Sequence, residues 1–338
     1  MEILENFVLK SYNAFGIPAK ARFFTHLYTT EELQELINTP IFKENKRLIL
    51  GGGSNLLFTQ DFDGLVVKTA QKGIELVDED AEHFYVKVQA GENWHQFVLR
   101  TVEEGWQGLE NLSLIPGTVG AAPIQNIGAY GVEVEQFIYE VSAIDLQSGE
   151  IRKFTAQECK FAYRNSVFKQ ELKGKYLISE VTFRLNKSPK FNLTYAALSQ
   201  YLEAQNLGSP SQKAISEAVI NIRSSKLPNP EEIGNCGSFF KNPVVEEAVF
   251  KRVLSENANM PYYSAGEGFY KIPAGWLIEQ CGFKGKVFGN VGTYSKQALV
   301  LINCGNATGE EAWNFANKII DTVSGKFGIS LEPEVNII

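Results

Sequence analysis

The stretch KRLILGGGSNLLF, residues 46–58, sets three glycines between two apolar runs, and its reading decides the fold. A strand that feeds a glycine turn is how dinucleotide-binding folds begin, but their fingerprint needs a GxGxxG spacing that opens a helix. Here LLFTQDFDGLVVK continues with extended character, so the stretch reads as strand, turn, strand, and the Rossmann reading fails. Taken alone, Gly51, Gly52 and Gly53 with Ser54 and Asn55 read first as a tight turn. The same residues can also turn several backbone N–H groups inward as a nest for an anion.

Working outward, EELQELIN (31–38) behind Thr29 and Thr30 predicts a helix, HFYVKVQAG a half-buried strand, and NWHQFVLRTVEEG a helix stopped by Gly105. The segment GLENLSLIPGTVGAAPIQNIGAYGVEV (108–134) fits neither period. It is rich in Gly, Ala, Pro and Asn and poor in charge, so it reads as a buried loop lining something. Its small residues Gly117, Gly120, Ala121, Ala122, Gly128 and Ala129 would let backbone approach a ligand closely. Two such loops point to one large, flat, phosphate-bearing ligand, and two glycine turns packed on each other are the plain alternative.

Farther along, VSAIDLQSGEIRKF predicts a hairpin turning at QSG, and KYLISEVTFRL another strand. SEAVINIRSSKLPNP (216–230) runs from helix into a proline-broken loop and is the best domain boundary. Beyond it, VVEEAVFKRVLSENA and AGWLIEQCGF predict helices and QALVLINC a strand. Thr308 and Glu311 form a capping box for a helix with Trp313, Ala316, Ile320 and Val323 at core spacing, and GISLEPEVNII returns to strand periodicity.

At 338 residues and 44% hydrophobic, the chain can bury a large core over two or three domains. With 32 Lys plus Arg against 39 Asp plus Glu it carries a net charge of -7 and no basic block, which speaks against nucleic acid as a partner. The first residues lack a basic leader, and no run reaches the length of a membrane span, so neither secretion nor a membrane is expected. Cys159, Cys236, Cys281 and Cys304 form no CxxC pair, as suits reduced thiols of a cytoplasm, and His26, His83 and His95 have no metal-ligand spacing. No metal is expected.

GNCGSFFKNP (234–243) places Cys236 and Ser238 on either side of a glycine, next to Lys241 and Asn242. A thiol and a hydroxyl are both plausible nucleophiles or proton donors, and local chemistry leaves the choice open.

GGGSNLLF, IPGTVGAAPIQNIGAYG, YRNSVFK (163–169), KLPNP (226–230), GNCGSFFKNP, AGWLIEQCGFKG and LEPE, in this order, resemble the UDP-N-acetylenolpyruvoylglucosamine reductase family from about residue 15 onward. The resemblance implies an α+β fold: an FAD-binding fold of the vanillyl-alcohol oxidase type in two subdomains plus a C-terminal substrate-binding domain. The expected divisions are 1–67 and 68–217 for the two subdomains, the strand at about 328–338 rejoining the second, and 218–327 for the substrate domain. It further implies non-covalent FAD, NADPH as reductant, UDP-N-acetylglucosamine enolpyruvate as substrate, and a monomer.

By the same resemblance, Gly51, Gly52, Gly53, Ser54, Asn55, Pro116, Gly117, Gly120, Ala121, Gln125, Asn126, Gly128, Ala129 and Arg223 face the cofactor. Tyr195, Lys226, Asn242 and Gln297 face the substrate. Arg164 and Glu334 would stabilise the enolate, and Ser238 would protonate its carbon, with Cys236 left as a packing residue. An oxidase of the same superfamily is the first rival, and the absence of His and Cys from both glycine loops removes its usual point of covalent flavin attachment. A non-catalytic nucleotide-sugar binder is the second, and it has no use for a proton donor.

Overall fold

A computed structural model describes residues 1–338. The chain divides into two compact units, each assembled from separated stretches. Unit 1 comprises 1–7, 21–52 and 63–225, and unit 2 comprises 8–20, 53–62 and 226–338. The helix Gln212–Lys226 runs unbroken past the expected edge at 217.

Unit 1 holds two large sheets and a two-stranded one that pairs Gly128–Ala129 with Val132–Glu133. One orders Leu4–Val8, Lys20–Leu27, Phe62–Thr69 and Lys46–Leu50, with the last two strands parallel and Leu50 opposite Lys68. The second orders Ile151–Thr155, Ile138–Asp145, Tyr176–Asn186, His83–Gln89 and Ile74–Glu79, antiparallel throughout. The QSG turn does join the paired strands Ile138–Asp145 and Ile151–Thr155.

The helix Trp94–Glu104 begins where Asn93 accepts from Gln96 N–H, satisfying one of the free donors of the first turn. It ends at Gly105 in the left-handed region, as its sequence predicts. Trp94, Phe97, Val98 and Thr101 recur at helical spacing and are buried; Trp94 also donates its indole N–H to Leu112 O at 2.9 Å. Trp94→Ala would cost about 3–5 kcal/mol through the cavity left against Phe97 and Phe183.

Unit 2 contains the sheet Asn235–Ser238, Val300–Asn303, Val291–Thr293 and Val287–Phe288. A smaller sheet orders Val244–Glu246, Phe269–Lys271 and Tyr263–Ser264. Thr308 caps the helix Gly309–Phe327 with the expected box. Its buried face is Ala312, Phe315, Ala316, Ile319 and Val323, so Trp313 and Ile320 flank the core stripe rather than centre it.

Two local expectations need correction. Val244 to Glu246 form a strand, and the helix starts only at Glu247, because these residues pair with Phe269–Lys271. Of GISLEPEVNII only Asn336–Ile337 is strand, lying parallel to Leu56–Leu57. Pro333 interrupts the run before it: proline offers no N–H to a ladder, and only an isolated bridge to Phe240 forms there.

Candidate functional site

In unit 1 the two glycine loops meet. A Cβ on Gly52 would lie 2.6 Å from the Cα of Gly117, and one on Gly51 would lie 2.7 Å from Thr118 Oγ1. Only glycine permits that approach of two backbones. Thr118 Oγ1 is buried and has no hydrogen-bond partner, a state native proteins rarely leave unanswered. A short bridge also pairs Thr118 with Asn93, and Gly120 N–H donates to Ala90 O at 2.9 Å, which fixes the loop against the second sheet.

The far end of this loop carries Arg164. Its Nη2 donates to Gly128 O at 2.9 Å and its Nη1 reaches Asn126 O at 3.5 Å, while its own backbone sits at φ 54°. Asn126 is fully buried and spends its amide inside the fold, donating to Glu133 Oε2 and Ala162 O and accepting from Glu135 N–H. Pro116 is exposed, and Ala121, Gln125 and Ala129 are half-buried.

Arg223 projects from Gln212–Lys226. Its Nε donates to Leu114 O at 3.2 Å, and Tyr130 faces it as well. Burial pulls the guanidinium below its usual value while Tyr130 opposes the shift, and no carboxylate pairs with it. A desolvated cation without a counter-ion suits an anionic ligand. His95 accepts Leu114 N–H through Nδ1 at 3.0 Å, and burial, then Arg223, lower its pKa, so the neutral imidazole is favoured. His95 and Arg223 thus hold the N–H and the carbonyl of Leu114, which has φ 58° just ahead of Pro116 and Gly117. Tyr195 stands before the helix Ala196–Ala204, 46% exposed, edge-on to Tyr130 at 5.1 Å. It is therefore no core residue.

Unit 2 contains the Cys236 and Ser238 pair. In a regular strand these two side chains would share a face. Instead the pairing with Val300–Asn303 slips between Asn235 and Ser238, and Gly237 takes φ 68°, with its N–H held by Asn235 Oδ1 at 2.9 Å. This bulge separates the pair. Cys236 turns inward, 5% exposed, where its Sγ contacts Leu56 O at 3.1 Å and burial pushes the thiol up to about 12. Ser238 is exposed. A thiol held protonated and out of solvent is a poor nucleophile.

Around this strand Phe239 N–H donates to Leu299 O, and Phe239 O accepts from Glu334 N–H at 2.8 Å, which brings the backbones of Ser238 and Glu334 together. Glu334 is half-buried, and its carbonyl accepts from Asn55 Nδ2 at 3.4 Å. Gly53, with φ 67°, packs against Tyr12 O, and Ser54 is half-buried. Asn242 Oδ1 accepts from Ala274 N–H at 2.9 Å at the start of Ala274–Gln280, and Gln297 Oε1 accepts from Leu299 N–H at 3.3 Å. Lys226 is exposed, and Lys241 pairs with Glu332 at 2.9 Å. Sequence reasoning passed over Thr118 and His95; a polar residue inside a glycine loop was the available signal for the first.

Residues 229–338 match the family described as UDP-N-acetylenolpyruvoylglucosamine reductase, C-terminal domain, and residues 22–155 match the FAD binding domain. Among curated relatives, a UDP-N-acetylenolpyruvoylglucosamine reductase of Flavobacterium johnsoniae is 48% identical, covering 100% of each chain. One of Amoebophilus asiaticus is 47% identical, again over 100% of each. The crystal structure of UDP-N-acetylenolpyruvylglucosamine reductase from Thermus caldophilus shares the fold, with a TM-score of 0.69, 22% identity and 99% of this chain against 98% of that one. The residues of unit 1 fit the FAD that such a domain implies: two backbones in contact at Gly52 and Gly117, the unanswered Thr118 hydroxyl, and the uncompensated cation of Arg223.

Proposed function

We propose, from the premise that this chain belongs to the UDP-N-acetylenolpyruvoylglucosamine reductase family, that it reduces UDP-N-acetylglucosamine enolpyruvate to UDP-N-acetylmuramate with NADPH as the electron source. It is an FAD-dependent oxidoreductase. The match to curated reductases over the whole chain carries the reading. Bound FAD supplies the relay of hydride from NADPH to the enolpyruvyl double bond.

The protein's own tasks are to bind, orient and move one proton. In this reading Gly51 to Asn55 and the loop from Pro116 to Ala129 cradle the cofactor through backbone N–H groups, with Arg223 supplying a positive charge. Arg164 stabilises the charge that develops on the substrate carboxylate, and its planar fork suits that group better than a lysine would. Ser238 donates a proton to the enolate carbon, and Glu334 supports the enolate. Tyr195, Lys226, Asn242 and Gln297 hold the nucleotide sugar. Exposure of Ser238 beside a buried, protonated Cys236 favours the hydroxyl over the thiol. Unit 1 then supplies the FAD-binding subdomains and most of unit 2 the substrate domain. The chain acts as a cytoplasmic monomer in the assembly of peptidoglycan precursors.

The test is an anaerobic stopped-flow trace at the flavin absorbance, with NADPH added first and UDP-N-acetylglucosamine enolpyruvate second. Bleaching followed by recovery with the enolpyruvyl substrate is expected. Recovery only with oxygen would establish an oxidase instead, and bleaching without substrate-dependent recovery a binder.

A further inference from the structure

Gln71 follows the strand Phe62–Thr69 and is only 3% exposed, yet neither Nε2 nor Oε1 has a hydrogen-bond partner. A buried primary amide with both ends unpaired destabilises a fold, and native proteins pair nearly all such groups. Its position in unit 1 is well defined. A Cβ on Gly91 would lie 2.6 Å from both the N and the O of Gln71, so the two backbones touch. The neighbouring Ala90 lies against Gly120, whose Cβ would sit 2.5 Å from that of Ala90. Thr69 Oγ1 donates to Leu50 O at 3.3 Å, immediately before Gly51. Gln71 therefore borders the Gly117 to Gly120 end of the second loop, and Arg164 holds the opposite end at Gly128.

We propose that the Gln71 side chain is a hydrogen-bonding subsite for the adenine base of FAD, an assignment that rests on the FAD-dependent reading of this chain. A primary amide presents a donor and an acceptor side by side, which complements the 6-amino group and adjacent ring nitrogen of adenine, the pairing by which glutamine reads that base in nucleic acids. The isoalloxazine ring has a donor and acceptor edge as well, and the placement of the other groups around the loop decides between them. Arg164 at Gly128 marks the reacting end. Gly51, Gly52 and the Thr118 hydroxyl suit the diphosphate. The side bordered by Gly120, Ala90 and Gln71 is left for the adenosine.

The test uses the full chain freed of flavin, titrated with FAD and with an FAD analogue that carries unsubstituted purine in place of adenine, in the wild type and in Gln71→Leu. Quenching of flavin fluorescence reads affinity, and thermal melting of the flavin-free protein reads the fold. The flavin-free Gln71→Leu should melt at or above the wild-type temperature, because an apolar group replaces an unpaired amide. Its FAD affinity should fall about tenfold. The wild type should prefer FAD over the purine analogue by about tenfold, and the variant should lose that preference. Gln71→Met supplies the same measurement if the leucine chain does not fold.

A variant that keeps the wild-type preference overturns the proposal. So does a lower melting temperature with FAD affinity unchanged, which would make the amide structural. Equal losses for both nucleotides with a shifted visible spectrum would move the amide to the isoalloxazine and overturn it as well. A wild type that takes up neither nucleotide would overturn the FAD reading itself, a different failure from a flat preference with binding intact.

Discussion

The two units treat their buried polar atoms differently. Every buried side-chain atom without a hydrogen-bond partner, at Gln71, Gln107, Asn111 and Thr118, belongs to unit 1. In unit 2 the comparable groups are answered from within: Cys236 by Leu56 O, Asn235 by Ile233 O and Pro228 O, Thr293 by Phe283 O. A unit of this kind answers its buried polar atoms from its own chain. One that leaves them open is shaped for something it does not itself contain, and the contrast separates residues that serve the fold from residues that serve a ligand.

The severest way to break that contrast is Gly52→Val. A branched side chain cannot fit where a single Cβ would already approach Gly117 Cα to 2.6 Å, so the loops must part. Protein purified from this variant should carry no flavin, and normal yellow protein would mean that the loop contact is not the cradle. Next in size is Ser238→Ala, expected to slow substrate-dependent flavin reoxidation by about 10²- to 10⁴-fold while leaving reduction by NADPH unchanged. Equal slowing of both halves in stopped flow would remove the assigned role.

Cys236→Ala probes the closed side of the comparison. It should lower stability by about 1–2 kcal/mol in a denaturant titration, through lost packing and the contact with Leu56 O, with turnover preserved. Abolished turnover in folded protein would return the chemistry to the thiol. Gly237→Ala sharpens the same point. Nothing obstructs its Cβ, so the left-handed backbone alone should cost roughly 1–2 kcal/mol, and turnover should fall with it as Ser238 loses its bearing.

The smallest effect concerns Glu110, buried in unit 1 with Gly108 N–H and Gln212 as its partners. Burial raises its pKa despite those hydrogen bonds, so ionisation disfavours the folded state. Stability from this group is complete below the ordinary carboxylate range and is lost as pH rises through the raised value. Glu110→Gln should flatten that part of a melting-temperature profile, and an unchanged slope would show that another group sets it.

Much of this was legible in the chain. The capping box at Thr308, the stop at Gly105 and the hairpin at QSG are local signals written within a few residues, and the structure follows each. The glycine loops announced a close approach and left open whether it is to a ligand or to each other; Gly52 and Gly117 do meet, through tertiary packing that no local signal reports. Gln71 lies between Ala70 and Lys72 with no motif around it, and its meaning depends wholly on what surrounds it after folding. The opposite facing of Cys236 and Ser238 turned on a glycine inside a strand, a recognised sign of a bulge that the strand periodicity alone conceals.

The segmented build of the two units also orders events during synthesis. Unit 1 has its last residue at Ser225, whereas unit 2 needs 226–338 to join 8–20 and 53–62, down to the pairing of Asn336 and Ile337 with Leu56 and Leu57. At elongation rates of about 5–20 residues per second, the early pieces of unit 2 wait many seconds on the ribosome for partners that do not yet exist. Unit 1 can close in that interval. Gly51, Gly52 and the loop at 117–129 therefore have their places before the strand bearing Ser238 is translated, whereas Gly53 to Asn55 belong to unit 2 and wait for it.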